Sequence, residues 1–196
     1  WAVADVARAP VPGGAPAPER QAEAVRALLA GGLRFDAAIV AFPGAGVSSL
    51  VATLPFADPR RIEQTIGFEI EGQIPFDLAE VAWDWQPIAT REGKTDLLVA
   101  VTRREELAAV LAALAGAGVD PRAIVPGPPA YAALFAAGAV SPAAPGAEGP
   151  PPGGAPAGAI VDVGRERTHL AVVAGGSCEA ARTFAFGAAH LARSLA

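Results

Sequence analysis

At 196 residues, 52% hydrophobic and 18% charged, the chain is long enough to bury one large core or two small ones. A formal net charge of −5, with Lys94 the only lysine, argues against an electrostatic footprint for nucleic acid. The single cysteine, Cys178, excludes an intrachain disulfide and fits a reducing compartment, and no apolar run has the length of a membrane span.

Residues 1–9 are short and apolar, interrupted by Asp5 and Arg8, and predict a strand. Residues 11–18 are a Pro/Gly/Ala connector. Residues 19–30 place Ala22, Val25, Leu28 and Leu29 on one helical face, and Gly31 and Gly32 end the helix. Residues 37–42 are a continuous apolar run, the pattern of a strand covered on both faces. Pro43-Gly44-Ala45-Gly46 then turns the chain. Its Gly-x-Gly lacks a third glycine in register. Residues 47–54 read as a strand, where a phosphate loop needs a helix N-terminus, so the segment reads as a turn.

Residues 54–77 predict one helix held between two Pro-Phe pairs. Asp58 supplies the cap and Pro59 the first helical position, where a missing N–H costs nothing. Ile62, Ile66 and Ile70 recur at i, i+4 and i+8, with Thr65 and Glu69 on the same side. Pro75 is the expected stop. Arg60 and Arg61 sit in the first turn, where the helix dipole disfavours cations, and Glu69 falls within the apolar stripe. Solvated surface charge is one reading of these residues; a partner-facing helix is the other.

In residues 81–88, Val81, Trp83 and Trp85 alternate onto one face, opposite Asp84 and Gln86. The tryptophans are expected to pack on the preceding helix rather than to form a ligand platform. Residues 90–94 make a polar turn and 96–101 return as a strand, giving a hairpin with a somewhat long loop. Thr102-Arg-Arg-Glu105 reads as a capping box. Its helix carries Leu107, Val110, Leu111 and Leu114, and Gly116 and Gly118 end it. Residues 119–125 predict another strand, and Pro128 and Pro129 open a helix through Leu134 and Phe135.

Residues 138–158 are almost all Ala, Gly and Pro, too poor in large apolar groups to offset ordering entropy, and read as a linker. Residues 159–163 predict a buried strand, and two further strands and a helix follow. Asp162-x-Gly164-x-x-x-Thr168 crosses the first turn between these strands. An aspartate beside a glycine turn and a hydroxyl can hold a metal-bound water and leave backbone N–H groups for phosphate, though Asp and Gly are also ordinary turn residues.

Leu54-Pro-Phe56, Arg61-Ile-Glu63, Phe68-Glu-Ile-Glu71 and Ile74-Pro-Phe-Asp77 resemble the signature of the PilM/GspL family. Leu97-Leu-Val-Ala-Val101, Val119-Asp-Pro-Arg122 and Ile160-Val-Asp-Val-Gly164 with Thr168 follow in the same order. The resemblance covers residues 37–196 apart from the linker. It implies an α/β actin-like ATPase (RNase H-like) fold: a first lobe over 1–137 with an inserted α+β subdomain at about 47–101, a linker over 138–158, and the start of a second lobe over 159–196. The family comprises cytoplasmic actin-like proteins of type IV pilus assembly and type II secretion. PilM-type members bind nucleotide and a peptide of a membrane partner; GspL-type members are bitopic and recruit the secretion ATPase. The first phosphate loop would precede Trp1. Arg165, Glu166 and Arg167 stand where a phosphate cradle favours small residues.

The expected function is therefore a cytoplasmic scaffold, peripheral to the inner membrane, that docks platform proteins and the assembly ATPase through Arg60, Arg61, Glu69, Glu71 and Asp77. The alternative is an actin-like ATPase or kinase-type enzyme working through Asp162 and a divalent metal. Asp162, Gly164 and Thr168 are the nucleotide-binding candidates, with ATP and magnesium expected only in a longer parent chain. No catalytic base can be named. A nuclease would need several carboxylates converging on a metal pair, which Asp5 and Asp162 alone do not supply.

Overall fold

The helix at the centre of the sequence pattern begins where its start signals place it. In a computed structural model the elements run α1 (Ala17–Ala30), β1 (Ala38–Phe42), β2 (Val47–Leu54), α2 (Pro59–Glu71), a 3-10 turn (Leu78–Glu80), β3 (Val81–Arg91), β4 (Lys94–Arg103), α3 (Arg104–Gly116), β5 (Pro121–Pro126), α4 (Gly127–Ala136), β6 (Ala157–Val163), β7 (Thr168–Ala174), β8 (Ser177–Phe184) and α5 (Ala188–Leu195). The structure describes residues 7, 9, 17–42, 46–137 and 157–195. The strand expected over 1–9, the start of the turn at 43–45 and nearly all of the expected linker lie outside them, except that Ala7 and Ala9 belong to no regular element and Ala157 and Gly158 open β6.

Two compact units are present: Trp1–Ala41 with Arg104–Ile124, and Phe42–Arg103 with Val125–Ala196. In the first unit α1 packs on α3, and the Arg26 Nε–H donates to Gly116 O at 3.2 Å, where a cation suits a helix C-terminus. Both helices end in the same way. Gly32 (φ 95°) and Gly118 (φ 78°) take the left-handed position. The following amides, of Leu33 and Val119, reach back to Leu28 O and Leu114 O. β1 pairs with β5. Ile39 is 70% exposed, so β1 is open on one face instead of covered on two. An all-apolar run of five residues looks the same in either setting, because burial depends on neighbours it does not encode.

In the second unit β2, β4 and β3 form an antiparallel sheet with β4 in the middle. Asp58 accepts the Arg61 amide at 2.9 Å, and α2 lays Ile62, Ile66 and Ile70 on Ala52, Leu54, Val81, Leu97, Val99 and Val101. Trp83 and Trp85 pack against this cluster, as their alternation predicts. The Trp83 ring lies over Gly67, with Cζ2 3.4 Å from where a Cβ there would stand. The Trp85 indole N–H donates to Glu63 Oε2 at 2.9 Å. Gly72 caps the end of α2, three residues before the expected stop at Pro75.

Two local expectations are corrected. The β3–β4 loop is short: only Glu92 (φ 51°) and Gly93 (φ 77°) connect the strands, a two-residue turn whose paired positive φ angles match strand twist. Thr102 does not cap α3. It lies in β4, opposite Val47 and Ala82, and its buried Oγ1 has no hydrogen-bond partner. Sheet pairing on both sides keeps the strand running past the capping-box position.

β6, β7 and β8 form a second antiparallel sheet, with β6 at an edge. One face packs Ile160, Ala171, Val173, Cys178 and Ala181 under Ala132 and Phe135 of α4, together with Leu98 of β4. On the other face Val161 and Val163 are 58% and 52% exposed, so β6 is half-buried, not buried throughout as its run of apolar residues suggests. No helix among the described residues is long and apolar enough to cross a membrane.

Because its ring covers Gly67 beside the isoleucine stripe, Trp83→Ala is expected to destabilise the protein by roughly 3 kcal/mol. Denaturant titration checks this. A loss below about 1 kcal/mol would show that the half-buried ring adds little to the cluster.

Candidate functional site

Asp162 stands one residue before the end of β6, opposite His169, Gly164 begins the turn, and Thr168 begins β7 opposite Val163. The three nucleotide-binding candidates therefore gather at one turn. The turn closes through the Gly164 amide, which donates to Arg167 O at 2.8 Å. The Asp162 carboxylate is exposed, and its Oδ2 accepts the Tyr131 hydroxyl of α4 at 2.6 Å. Burial, followed by this bond and the carboxylate charge, pushes Tyr131 from 10.0 up to about 12. His169, on the same cross-strand row, pairs its Nδ1 with Thr183 Oγ1 at 2.9 Å.

The groups that would cradle phosphate at this turn are committed elsewhere. The Thr168 hydroxyl donates to Phe186 O at 2.7 Å. At the start of α5, the Ala188 amide donates to Gly164 O at 2.9 Å and the Ala189 amide to Arg165 O at 2.8 Å. The Gly187 amide donates to His190 Nδ1 at 3.2 Å, and the His190 ring lies against Phe186 with centroids 5.5 Å apart. Gly187 is pressed into the turn. A Cβ there would stand 2.5 Å from Gly164 O and 2.6 Å from Arg167 N, so no other residue fits without moving backbone. Its role was not read from the sequence, where a glycine before a helix looks like any turn glycine.

Among the described residues no group of three His, Cys, Asp or Glu side chains could hold a metal ion. A magnesium ion that arrives with phosphates needs less, since it keeps several waters and takes only one or two protein carboxylates. The exposed Asp162 fits that limited role.

The partner-binding candidates lie apart from this turn. Arg60 and Arg61 are exposed in the first turn of α2, and Glu69 and Glu71 are exposed at its last turn. The ends of this 13-residue helix are separated by about 20 Å. Asp77 is exposed before the 3-10 turn, and its side chain makes no cap bond there. The Arg61 guanidinium lies 4.4 Å over the Phe56 ring, which anchors it. Glu69 does not join the buried stripe. It sits at the edge of the Ile62–Ile66–Ile70 row, and its side chain remains in solvent. Phe68 is 75% exposed on the outer side of the helix. The 3.6-residue period places it off the stripe, so this exposure was readable from the sequence.

Tyr131 is the only tyrosine in the chain, so its ionisation is separable by ultraviolet difference absorbance. The expected midpoint is near 12, and Asp162→Asn should lower it toward 10.0. The folded value is raised, so this group leaves stability untouched below about 10 and lowers it as pH rises toward the folded value. A midpoint at 10.0 in the folded protein would mean that neither the burial of the ring nor its bond to Asp162 holds.

Comparison with known proteins places these elements. Residues 17–196 match the family described as Type IV pilus assembly protein PilM. No curated protein matches the sequence. Among solved structures, a PilM–PilN type IV pilus biogenesis complex matches at 25% identity and a TM-score of 0.70, over 90% of this chain and 51% of that chain. The cytoplasmic domain of EpsL, an inner-membrane component of the type II secretion system of Vibrio cholerae, matches at 15% identity and a TM-score of 0.55. That match covers 84% of this chain and 56% of the other, and at this identity it shows the fold alone. The chain thus spans about half the length of the solved chains it matches. Its mixed α/β architecture is the actin-like fold that PilM and EpsL share. With the family match running through α1 to α5, this chain belongs to the PilM family of type IV pilus assembly proteins.

Proposed function

We propose that this chain is an actin-like scaffold of a type IV pilus or type II secretion machine, and that its 47–101 segment docks partner proteins at the inner membrane. The observation that carries the reading is the charge order on α2. Two exposed arginines stand at the positive end of the helix dipole and two exposed glutamates at the negative end. Each such placement costs a helix about 0.3–1 kcal/mol at low ionic strength. Opposite charges at the two ends suit a partner that must bind in one orientation. Asp77 and the exposed Phe68 extend this surface. A solved relative is itself a PilM–PilN complex, which supports a protein partner. The partners are the proteins of the inner-membrane platform and its assembly ATPase, and the chain works on the cytoplasmic side. On this reading residues 1–137 belong to the first lobe and the chain from β6 onward opens the second, so that the linker ends before Ala157.

The scaffold reading is non-catalytic. A nucleotide role is the second reading, favoured by the gathering of Asp162, Gly164 and Thr168 at one turn. Magnesium with ATP would meet Asp162 there, with Arg165 beside it for phosphate. With the first α5 amides bonded to Gly164 and Arg165, residues 1–196 are expected to bind nucleotide weakly and to show no ATPase activity. Low-micromolar, magnesium-dependent ATP binding in calorimetry would overturn that expectation.

Docking is tested by reversing Arg60 and Arg61 to glutamate together, with thermal melting beside pull-down of the cognate platform proteins. The expected result is lost association. Stability should stay level or rise slightly, because removing two cations from a helix N-terminus offsets the lost contact with Phe56. Unchanged association would remove both residues from the docking site. A large loss of stability would mean that they hold the fold.

A further inference from the structure

The outer ridge of α2 carries a pattern that its buried row does not explain. Arg61, Gln64, Phe68 and Glu71 follow one another at spacings of three, four and three, the interval of a helix–helix seam. They fall in one line on the side away from Ile62, Ile66 and Ile70, and all four are exposed. Phe68, at 75%, is the most exposed large hydrophobic residue among those described. The Gln64 and Glu71 side chains have no hydrogen-bond or ion-pair partner among the described residues, and the Arg61 guanidinium is held over Phe56. One exposed phenylalanine alone would be ordinary. This one stands on a seam with a cation at one end and an anion at the other.

The seam complements itself in one direction only. Let two copies of α2 run antiparallel, with the two-fold axis at the level of Ile66. Arg61 then faces Glu71 of the second copy, and Gln64 faces its Phe68, each pair occurring twice, as a closed two-fold contact demands. Run parallel, the same ridge would set Arg61 on Arg61 and Glu71 on Glu71. We propose that the α2 ridge binds a second copy of this chain as an antiparallel helix pair, with Phe68 seated on Gln64 and Arg61 on Glu71. The ridge lies opposite the buried row, so the two copies meet helix to helix with their sheets turned outward. The contact is short. A 13-residue helix is about 20 Å long, less than a standard interface spans, so the pair is weak and forms where the chain is concentrated. Self-pairing goes beyond the docking role proposed above and does not depend on it. Where both hold, a paired ridge is closed to other partners.

The test is sedimentation equilibrium of the 196-residue chain up to about 1 mM, with thermal melting alongside. The wild-type chain is expected to form a dimer with a dissociation constant of roughly 0.1–1 mM. Arg61→Glu and Glu71→Arg each set like charges against one another at both ends, and each should weaken pairing by about tenfold or more. Gln64→Leu should tighten it, since it lays an apolar side chain on the Phe68 ring. Two further samples restore complementarity. An equimolar mixture of Arg61→Glu with Glu71→Arg should pair, and the double variant should pair with itself, both near wild-type strength. Should Arg61→Glu melt markedly lower through losing Phe56, Glu71→Arg and Gln64→Leu carry the test, and no change in either overturns the proposal. A wild-type chain that stays monomeric throughout also overturns it and leaves docking of a different partner standing. Association that ignores both reversals places the self-contact on another face and overturns the proposal. So does a loss that neither the mixture nor the double variant restores.

Discussion

β4 buries both of its faces, and the larger unit depends on it. Leu97, Val99 and Val101 point into the cluster under α2, while Leu98, between them, enters the cluster beneath α4 and the second sheet. Both neighbours of β4 are antiparallel, so the strand has no open edge over the paired residues. A slip of one residue would exchange the two sets of side chains and empty both clusters together. The register of β4 is therefore fixed by two cores at once. The isoleucine row of α2 and the small residues of β7 and β8 are sized to a strand that presents branched side chains on each side.

Against that rigid base, α2 has two layers of different character. Its inner row is apolar and fully buried. Its ends carry charge of the sign that the helix does not want, and its outer side carries Phe68 in solvent. Burial of three isoleucines contributes several kcal/mol, against a few tenths for each misplaced charge. The helix can therefore present an unfavourable surface without loosening. Rigid support under an adverse charge pattern is what the docking role proposed for this helix would require.

Periodicity and end signals made much of this legible. The Ile62–Ile66–Ile70 row, the Asp58 cap and the alternation of Val81, Trp83 and Trp85 each point to the packing that the structure has. What the sequence hid depended on neighbours distant in sequence. Thr102 and Glu105 have the spacing of a capping box, but pairing with Val47 and Ala82 keeps Thr102 in the sheet. Residues 38–42 and 159–163 are apolar enough for fully covered strands, yet each has an open face. At the candidate site the Asp162–Gly164–Thr168 spacing was visible. The hydroxyl that bonds Asp162 comes from another element, and the close approach of Gly187 depends on where α5 begins. Both are consequences of tertiary placement that no local pattern carries.

The two-residue turn at Glu92-Gly93 also bears on the order in which the chain acquires its structure. β3 and β4 meet by closing the shortest loop a hairpin allows, a microsecond event. β2 can join β4 only after the whole of α2 and β3 has been brought around, with its larger loop entropy. Local pairing before distant pairing makes the β3–β4 hairpin the natural nucleus, and the docking of β2 with α2 the later step. The outward residues of α2 then belong to the late part of the pathway. Changes in its surface charge would act on the rate at which the assembled unit opens, and leave the rate at which it first forms nearly untouched.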